Sequence, residues 1–131
     1  MWRIEFSSNK FLPFLPEEAQ SNPGVYGFEL ASWMSQALAR KGVITTYPLQ
    51  EDWGWLIEHV RDEFEVIVGC SSVCGEGDGY ESTAIGWSIF VDPRKTLKQK
   101  LKGTAIDAMV RELSDHITGV LDAEGLKWET V

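Results

Sequence analysis

Residues 53–70 read WGWLIEHVRDEFEVIVGC. Apolar side chains alternate with polar or smaller ones on both sides of a short polar step, Arg61-Asp62. Alternation with a period of two is typical of half-buried β-strands. The stretch therefore predicts a hairpin that places two sets of side chains on one buried face: Trp53, Trp55 and Ile57 from the first strand, and Phe64, Val66, Val68 and Cys70 from the second.

The segments around this hairpin extend it into a sheet. Strand patterns recur at residues 2–6, 43–47, 83–91 and 126–130. Consecutive strands that are joined by short loops pair antiparallel. The sequence thus predicts a mainly antiparallel sheet with this hairpin near its middle.

Two longer segments carry apolar residues at helical spacing. For the first helix, Asn22-Pro23 predicts the start, because Asn caps helices and Pro suits the first helical position. Gly42 predicts its end. The second helix is expected to run from Thr104 to near Gly125.

These elements follow one another in the order β-α-β-β-β-β-α-β. Asp92-Pro93 additionally predicts a short basic helix that runs through about Leu101. An amphipathic helix must bury its apolar stripe, and the sheet is the available partner. We therefore expect residues 1–131 to form a single α+β domain, a two-layer sandwich with both long helices packed on one face of the sheet.

Charge is distributed unevenly along the chain. Twelve Lys and Arg against twenty Asp and Glu give a net charge of −8, which argues against direct binding to nucleic acid. Residues 94–102 hold five of the positive charges and no negative one, so the rest of the chain carries −13. That surplus keeps a protein soluble, and it also attracts a basic partner.

A small acidic protein-binding module is therefore the leading hypothesis. We expect acidic residues on hairpin ends and loops to contact the partner, namely Glu51, Asp52, Asp62, Glu63, Glu76, Asp78 and Glu81. Rigid scaffolds often present binding residues on such loops. An inhibitor that neutralises a basic protein, or a DNA mimic that occupies a basic groove, would both fit.

The run Glu51-Asp52-Trp53-Gly54-Trp55 offers an alternative. Aromatic faces attract cations and stack on sugar rings, and carboxylates accept hydrogen bonds. The alternative hypothesis is a small-molecule-binding domain or enzyme with a pocket formed by Asp52, Trp53, Trp55 and His59. Against it, adjacent carboxylates on a strand point in opposite directions, and the same run fits a strand start with both indoles in the core.

Motifs for catalysis, metals and cofactors do not emerge from the sequence. The chain offers Cys70, Cys74, His59 and His116, which are not spaced as a zinc site. The glycine-rich residues 75–79 lack the Lys-Ser/Thr pair of a phosphate-binding loop. We therefore expect no cofactor, no metal and no catalytic residue, with Cys70 as a core thiol.

Targeting signals are equally scarce. No stretch approaches the roughly 18 apolar residues of a spanning helix, and the first residues do not resemble a secretory signal. We expect a cytoplasmic protein without membrane contact. The oligomeric state stays open.

Two stretches carry a resemblance. Tyr26-Gly27-Phe28-Glu29-Leu30-Ala31-Ser32-Trp33, followed by Glu51-Asp52-Trp53-Gly54-Trp55, resembles the signature Y-G-x-E-L-A-x-W … E-D-W-G-W of a set of short bacterial proteins of uncharacterised function. The resemblance runs over most of the chain and implies no catalytic residue. In size, acidity and α+β pattern the chain also resembles toxin-immunity proteins in type, without a shared motif, which implies an inhibitor of a basic toxin or nuclease.

Overall fold

A computed structural model describes residues 1–94 and 103–131. Within them the chain follows the predicted order and forms the predicted α+β sandwich. The helices are α1 (Phe28–Ala39) and α2 (Gly103–Ala123), and single turns of 3₁₀-helix lie at Glu17–Ala19 and Asp78–Tyr80. The strands are β1 (Trp2–Ser8), β2 (Leu49–Glu51), β3 (Gly54–Arg61), β4 (Phe64–Val73), β5 (Ile85–Pro93) and β6 (Trp128–Thr130).

All six strands belong to one sheet with the order β2-β3-β4-β5-β1-β6, and every neighbouring pair is antiparallel. The predicted hairpin is confirmed, since Arg61 pairs with Phe64 across the β3–β4 turn. Asp62 in that turn has a φ of 59°, a conformation that Asp tolerates better than most side chains. The N-terminal strand β1 lies between β5 and β6.

Both helices pack on one face of the sheet. Helix α1 contacts β3 and β4, and α2 contacts β5. Buried side chains of both helices and of the strands form one core, in which Trp87 is fully buried and donates its indole hydrogen to the carbonyl oxygen of Ser8 at 3.1 Å. Largest among the other fully buried residues are Tyr26, Ile4, Leu30, Met34, Leu38, Ile57, Ile89, Ile117 and Leu121.

The predicted start of the first helix is wrong. Asn22 does not cap α1, because its side-chain amide donates instead to the carbonyl oxygen of Asp52 at 2.8 Å. Gly24 follows with a φ of 78°, which turns the chain away from a helical path. The helix begins at Phe28, after Gly27. We call residues 9–27, between β1 and α1, the connector; its last part, residues 22–27, lies against the β2–β3 turn.

One other local prediction fails, and a second is corrected at its start. Residues 43–47 were expected to form a strand, but they contribute only an isolated bridge between Thr45 and His59, and the edge strand is β2. Asp92-Pro93 does not start a helix, because β5 continues through Pro93, which pairs with Val66. The rest of the predicted basic helix lies outside the described residues.

Candidate functional site

The β2–β3 turn and the loop after β4 lie at the same end of the sheet. Glu51 pairs with Gly54, and Trp55 pairs with Cys70, so β4 leaves the sheet beside that turn. The connector joins the two: Asn22 binds the backbone of Asp52, and Gly24 packs against Glu76 so closely that an added Cβ would lie 2.9 Å from its backbone nitrogen. This places two acidic loops next to each other.

Five of the seven acidic residues expected to contact a partner lie at this end. Glu51, Asp52, Glu76 and Glu81 are exposed, and Asp78 is half-buried. Two further carboxylates, Glu17 and Glu18, lie here and were not predicted from the sequence. We call the whole set the acidic end: Glu17, Glu18, Glu51, Asp52, Glu76, Asp78 and Glu81.

Hydrogen bonds and electrostatics bring Glu17 and Glu18 to this set. Gln50 on β2 donates to the carbonyl oxygen of Ala19 at 3.4 Å, which holds the Glu17–Ala19 turn against the edge strand. Burial raises the pKa of Tyr80, and the carboxylates of Glu17, Glu29 and Glu18 raise it further. Residues 11–39, 42–60 and 62–93 contain no Lys or Arg, so the segments that build the acidic end carry no positive charge of their own. Glu51 does interact with Arg94 just beyond them, whose pKa is raised by its hydrogen bond to Glu58 and by the charges of Glu58, Glu65 and Glu51.

The glycine-rich acidic loop is held in place by a network around Tyr26. The Tyr26 hydroxyl accepts a hydrogen bond from the backbone N–H of Gly77 at 3.0 Å and donates to Glu17 at 3.1 Å. The other carboxylate oxygen of Glu17 accepts from the N–H of Gly24 at 2.6 Å. Asp78 accepts from the N–H of Gly75 at 2.8 Å. Glu17 and Asp78 thus hold the backbone of the segments that carry the other carboxylates.

Two exposed aromatic rings border the acidic end. Phe14 is 70% exposed and packs edge-on against Phe28, with ring centroids 5.9 Å apart. Tyr80 is 42% exposed, and its hydroxyl donates to the carbonyl oxygen of Leu15 at 2.7 Å. Each ring therefore has a contact within the protein while a large part of it faces solvent.

Asp62 and Glu63 lie elsewhere. They form the β3–β4 turn, at the end of β3 opposite the acidic end. Arg61 pairs with Glu112 there at 3.1 Å. The structure therefore does not bring these two acidic residues together with the other five.

The residues of the alternative pocket are also separated. Trp53 was expected to share a face with Trp55, and this prediction is wrong. The Trp53 ring packs on Phe90 with centroids 4.9 Å apart, on the sheet face that points away from the helices. Trp55 is on the helix side, 8% exposed, with its ring 5.1 Å from Phe28.

The β2–β3 turn causes this separation. Trp53 precedes β3, and Gly54 has a φ of 150°, so the alternation of β3 does not extend back to Trp53. His59 lies toward the other end of β3, where its Nδ1 is 2.7 Å from the carbonyl oxygen of Ile44. Asp52, Trp53, Trp55 and His59 thus do not surround a common space.

Both cysteines are free thiols. Cys70 is fully buried, as predicted, and burial raises its pKa to about 12. Cys74 is half-buried, and burial also raises its pKa, with the charges of Asp78 and Glu17 acting in the same direction. Neither is activated as a nucleophile, because activation requires a lowered thiol pKa.

Residues 1–94 and 103–131 contain neither a cluster of metal ligands nor a membrane-spanning helix. No group of three His, Cys, Asp or Glu there is arranged to hold a metal ion. None of the helices in those ranges is long and apolar enough to cross a membrane.

Comparison with known proteins finds no matching family model, no matching curated protein and no matching solved structure. The resemblance to the short bacterial proteins and to toxin-immunity proteins therefore stays a prediction.

Proposed function

We propose that this protein is a binding module that docks on a basic protein through its acidic end. An inhibitor of the immunity type, which neutralises its basic target, would bind in this way. The observation that carries the proposal is the concentration of seven carboxylates at one end of the sheet, built from segments without Lys or Arg. Such a surface attracts a basic partner and accelerates its association.

The bordering aromatic rings supply the second requirement of an interface. Charged rims set association rates, whereas buried aromatic anchors hold partners together. Phe14 and Tyr80 offer such anchors, since both are exposed and each is held by contacts within the protein. A fixed anchor loses little conformational entropy on binding.

The network around Tyr26 supports the same proposal. It connects the connector to the acidic loop through Glu17, Gly24 and Gly77. The acidic surface is therefore ordered before a partner arrives, which reduces the entropy lost in the complex.

The free thiols and the net charge bear on the compartment and on the kind of partner. Two free thiols fit a reducing compartment such as the cytoplasm. The net charge of −8 disfavours direct contact with nucleic acid and with anionic membrane surfaces. The proposed partner is therefore a protein with a positively charged surface.

The test begins with capture of basic proteins from a lysate of the native host at low salt, followed by purification of each captured protein as a defined probe. Association and dissociation rates are then measured for wild type and two double variants. Glu51→Lys/Glu81→Lys reverses two exposed charges at the acidic end. Glu63→Lys/Asp107→Lys makes the same change in net charge at the other end of the molecule.

We expect the acidic-end variant to slow association by about tenfold or more, and the matched variant by less than about twofold. Association of the wild type should also slow as salt is added. Phe14→Ala should act mainly on dissociation, accelerating it by about tenfold. If the two charge variants slowed association equally, net charge alone would explain the attraction, and the acidic end would be rejected as the docking surface.

A further inference from the structure

Both histidines of the chain line the same cavity. It has a volume of about 140 Å³ and lies where the segment after α1, strand β3 and helix α2 meet. Its ionisable lining consists of Lys41, His59, Arg61, Glu112 and His116. None of these residues belongs to the acidic end.

The orientation of His59 is set by the backbone. Its Nδ1 lies 2.7 Å from the carbonyl oxygen of Ile44. A carbonyl oxygen only accepts, so Nδ1 carries the hydrogen and Nε2 is left for another partner. In the imidazolium form Nε2 becomes a donor. His59 therefore donates to an anion when it is protonated.

The cavity has a surplus of positive charge. The carboxylate among its described lining residues, Glu112, is engaged by Arg61, whose Nη1 lies 3.3 and 3.1 Å from the two carboxylate oxygens. Lys41 forms no ion pair with any residue in the described ranges 1–94 and 103–131. This positive site stands out on a chain with a net charge of −8.

Apolar residues close the inner side of the cavity. Met109 and Leu113 are each 2% exposed, and Val43 is half-buried beside them. Low-polarity walls strengthen the attraction between a bound ion and nearby charges. The volume equals that of roughly four or five water molecules, which suits a tetrahedral oxyanion.

We propose that this cavity binds a phosphate group, either as inorganic phosphate or as the terminal group of a phosphate monoester. Lys41 and Arg61 supply positive charge, and the two histidines donate hydrogen bonds when protonated. Phosphate binding to such clusters relies on charge-assisted hydrogen bonds. The proposal is independent of protein binding at the acidic end.

The test uses inorganic phosphate and phosphoserine as separate probes. Binding is measured by calorimetry, and the ring nitrogens of His59 and His116 are followed by NMR. Lys41→Met removes a charge from the cavity, and Arg40→Met removes the neighbouring exposed charge, which does not line it. His116→Gln removes one imidazole donor.

We expect Lys41→Met to weaken phosphate binding by about tenfold and Arg40→Met by less than about twofold. His116→Gln should weaken it by about fivefold, because one imidazole donor to the anion is lost. Tighter binding of phosphoserine than of phosphate would identify a monoester as the occupant, and the reverse would identify the free ion. Equal losses in the two charge variants, or no change of the histidine ring signals, would overturn the proposal.

Discussion

Gly27 and Gly54 lie against the same backbone atom, the carbonyl oxygen of Cys70. A Cβ on Gly54 would lie 2.6 Å from that oxygen, and one on Gly27 would lie closer still. The φ angles are 153° at Gly27 and 150° at Gly54, values that residues with a side chain rarely adopt. The start of α1 and the start of β3 thus converge on the end of β4 through two glycines.

Replacing Gly27 by Ala should destabilise the protein by about 3 kcal/mol, because the methyl group meets rigid backbone and the φ angle becomes strained. Gly119→Ala is the matched control. Gly119 is an exposed residue of helix α2 with nothing within 4 Å of an added Cβ, so the substitution should stabilise the protein by about 0.5–1 kcal/mol. Urea unfolding measures both changes. An unchanged midpoint for Gly27→Ala would contradict the close approach.

Gly69 and Phe90 form a second such pair, on the sheet face away from the helices. The Phe90 ring occupies the space that a side chain at position 69 would need. We expect Gly69→Ala to cost about 1–3 kcal/mol in the wild type and at least about 1 kcal/mol less in a Phe90→Ala background. A double-mutant cycle measured by chemical unfolding checks this. Additive effects would show that the ring moves aside freely.

Removal of the Tyr26 hydroxyl should loosen the acidic loop. Tyr26→Phe deletes the acceptor of the Gly77 N–H and the donor to Glu17, so we expect a loss of about 1 kcal/mol. Amide hydrogen exchange at residues 75–79 should accelerate. Tyr47→Phe is the control, since Tyr47 is 76% exposed and should change neither quantity. Equal exchange rates in wild type and Tyr26→Phe would argue against the network.

Glu29 gives a pH-dependent contribution to stability. Its Oε1 is buried and has no hydrogen-bond partner among the described residues, and burial raises its pKa above the ordinary 4.5. The folded state therefore holds this proton more tightly than the unfolded chain does. The protonated Glu29 carboxyl therefore contributes stability that is present below about pH 4.5 and is lost as the pH rises through the folded-state pKa.

Glu29→Gln removes that pH-dependent loss of stability, because an amide does not ionise. At about pH 7 we expect the variant to be more stable than wild type by at most about 1 kcal/mol, because the group is only partly buried. The difference should vanish below about pH 4. Thermal unfolding across this range measures it, with exposed Glu81→Gln as the control. A difference that persists in acid would point to packing instead of charge.

The sequence predicts those parts of the fold that depend on local periodicity. Alternation identified the β3–β4 hairpin, and helical spacing identified α1 and α2. It misjudged Asn22 and Trp53, because each acts through a contact with a distant segment. The Asn22 side chain donates to the carbonyl oxygen of Asp52, and the Trp53 ring packs on Phe90 of β5.

The candidate site shows the same division. Glu51, Asp52, Glu76, Asp78 and Glu81 could be selected from their places in turns, but their meeting at one end follows from the pairing of β3 with β4. Glu17 and Glu18 lie in a connector without periodicity, so no local pattern marks them. The cavity shared by His59 and His116 likewise requires β3 and α2 to be packed together.

The place of β1 in the sheet also affects how the protein is made. Ile4 pairs with Ile89 on one side and with Thr130 on the other. During synthesis β1 leaves the ribosome long before its neighbours β5 and β6, whereas β3, β4 and β5 can pair in sequence as they emerge. Until β5 has been synthesised, Ile4 and Phe6 lack their place in the core. During that interval the nascent chain presents a short apolar strand that chaperones can bind.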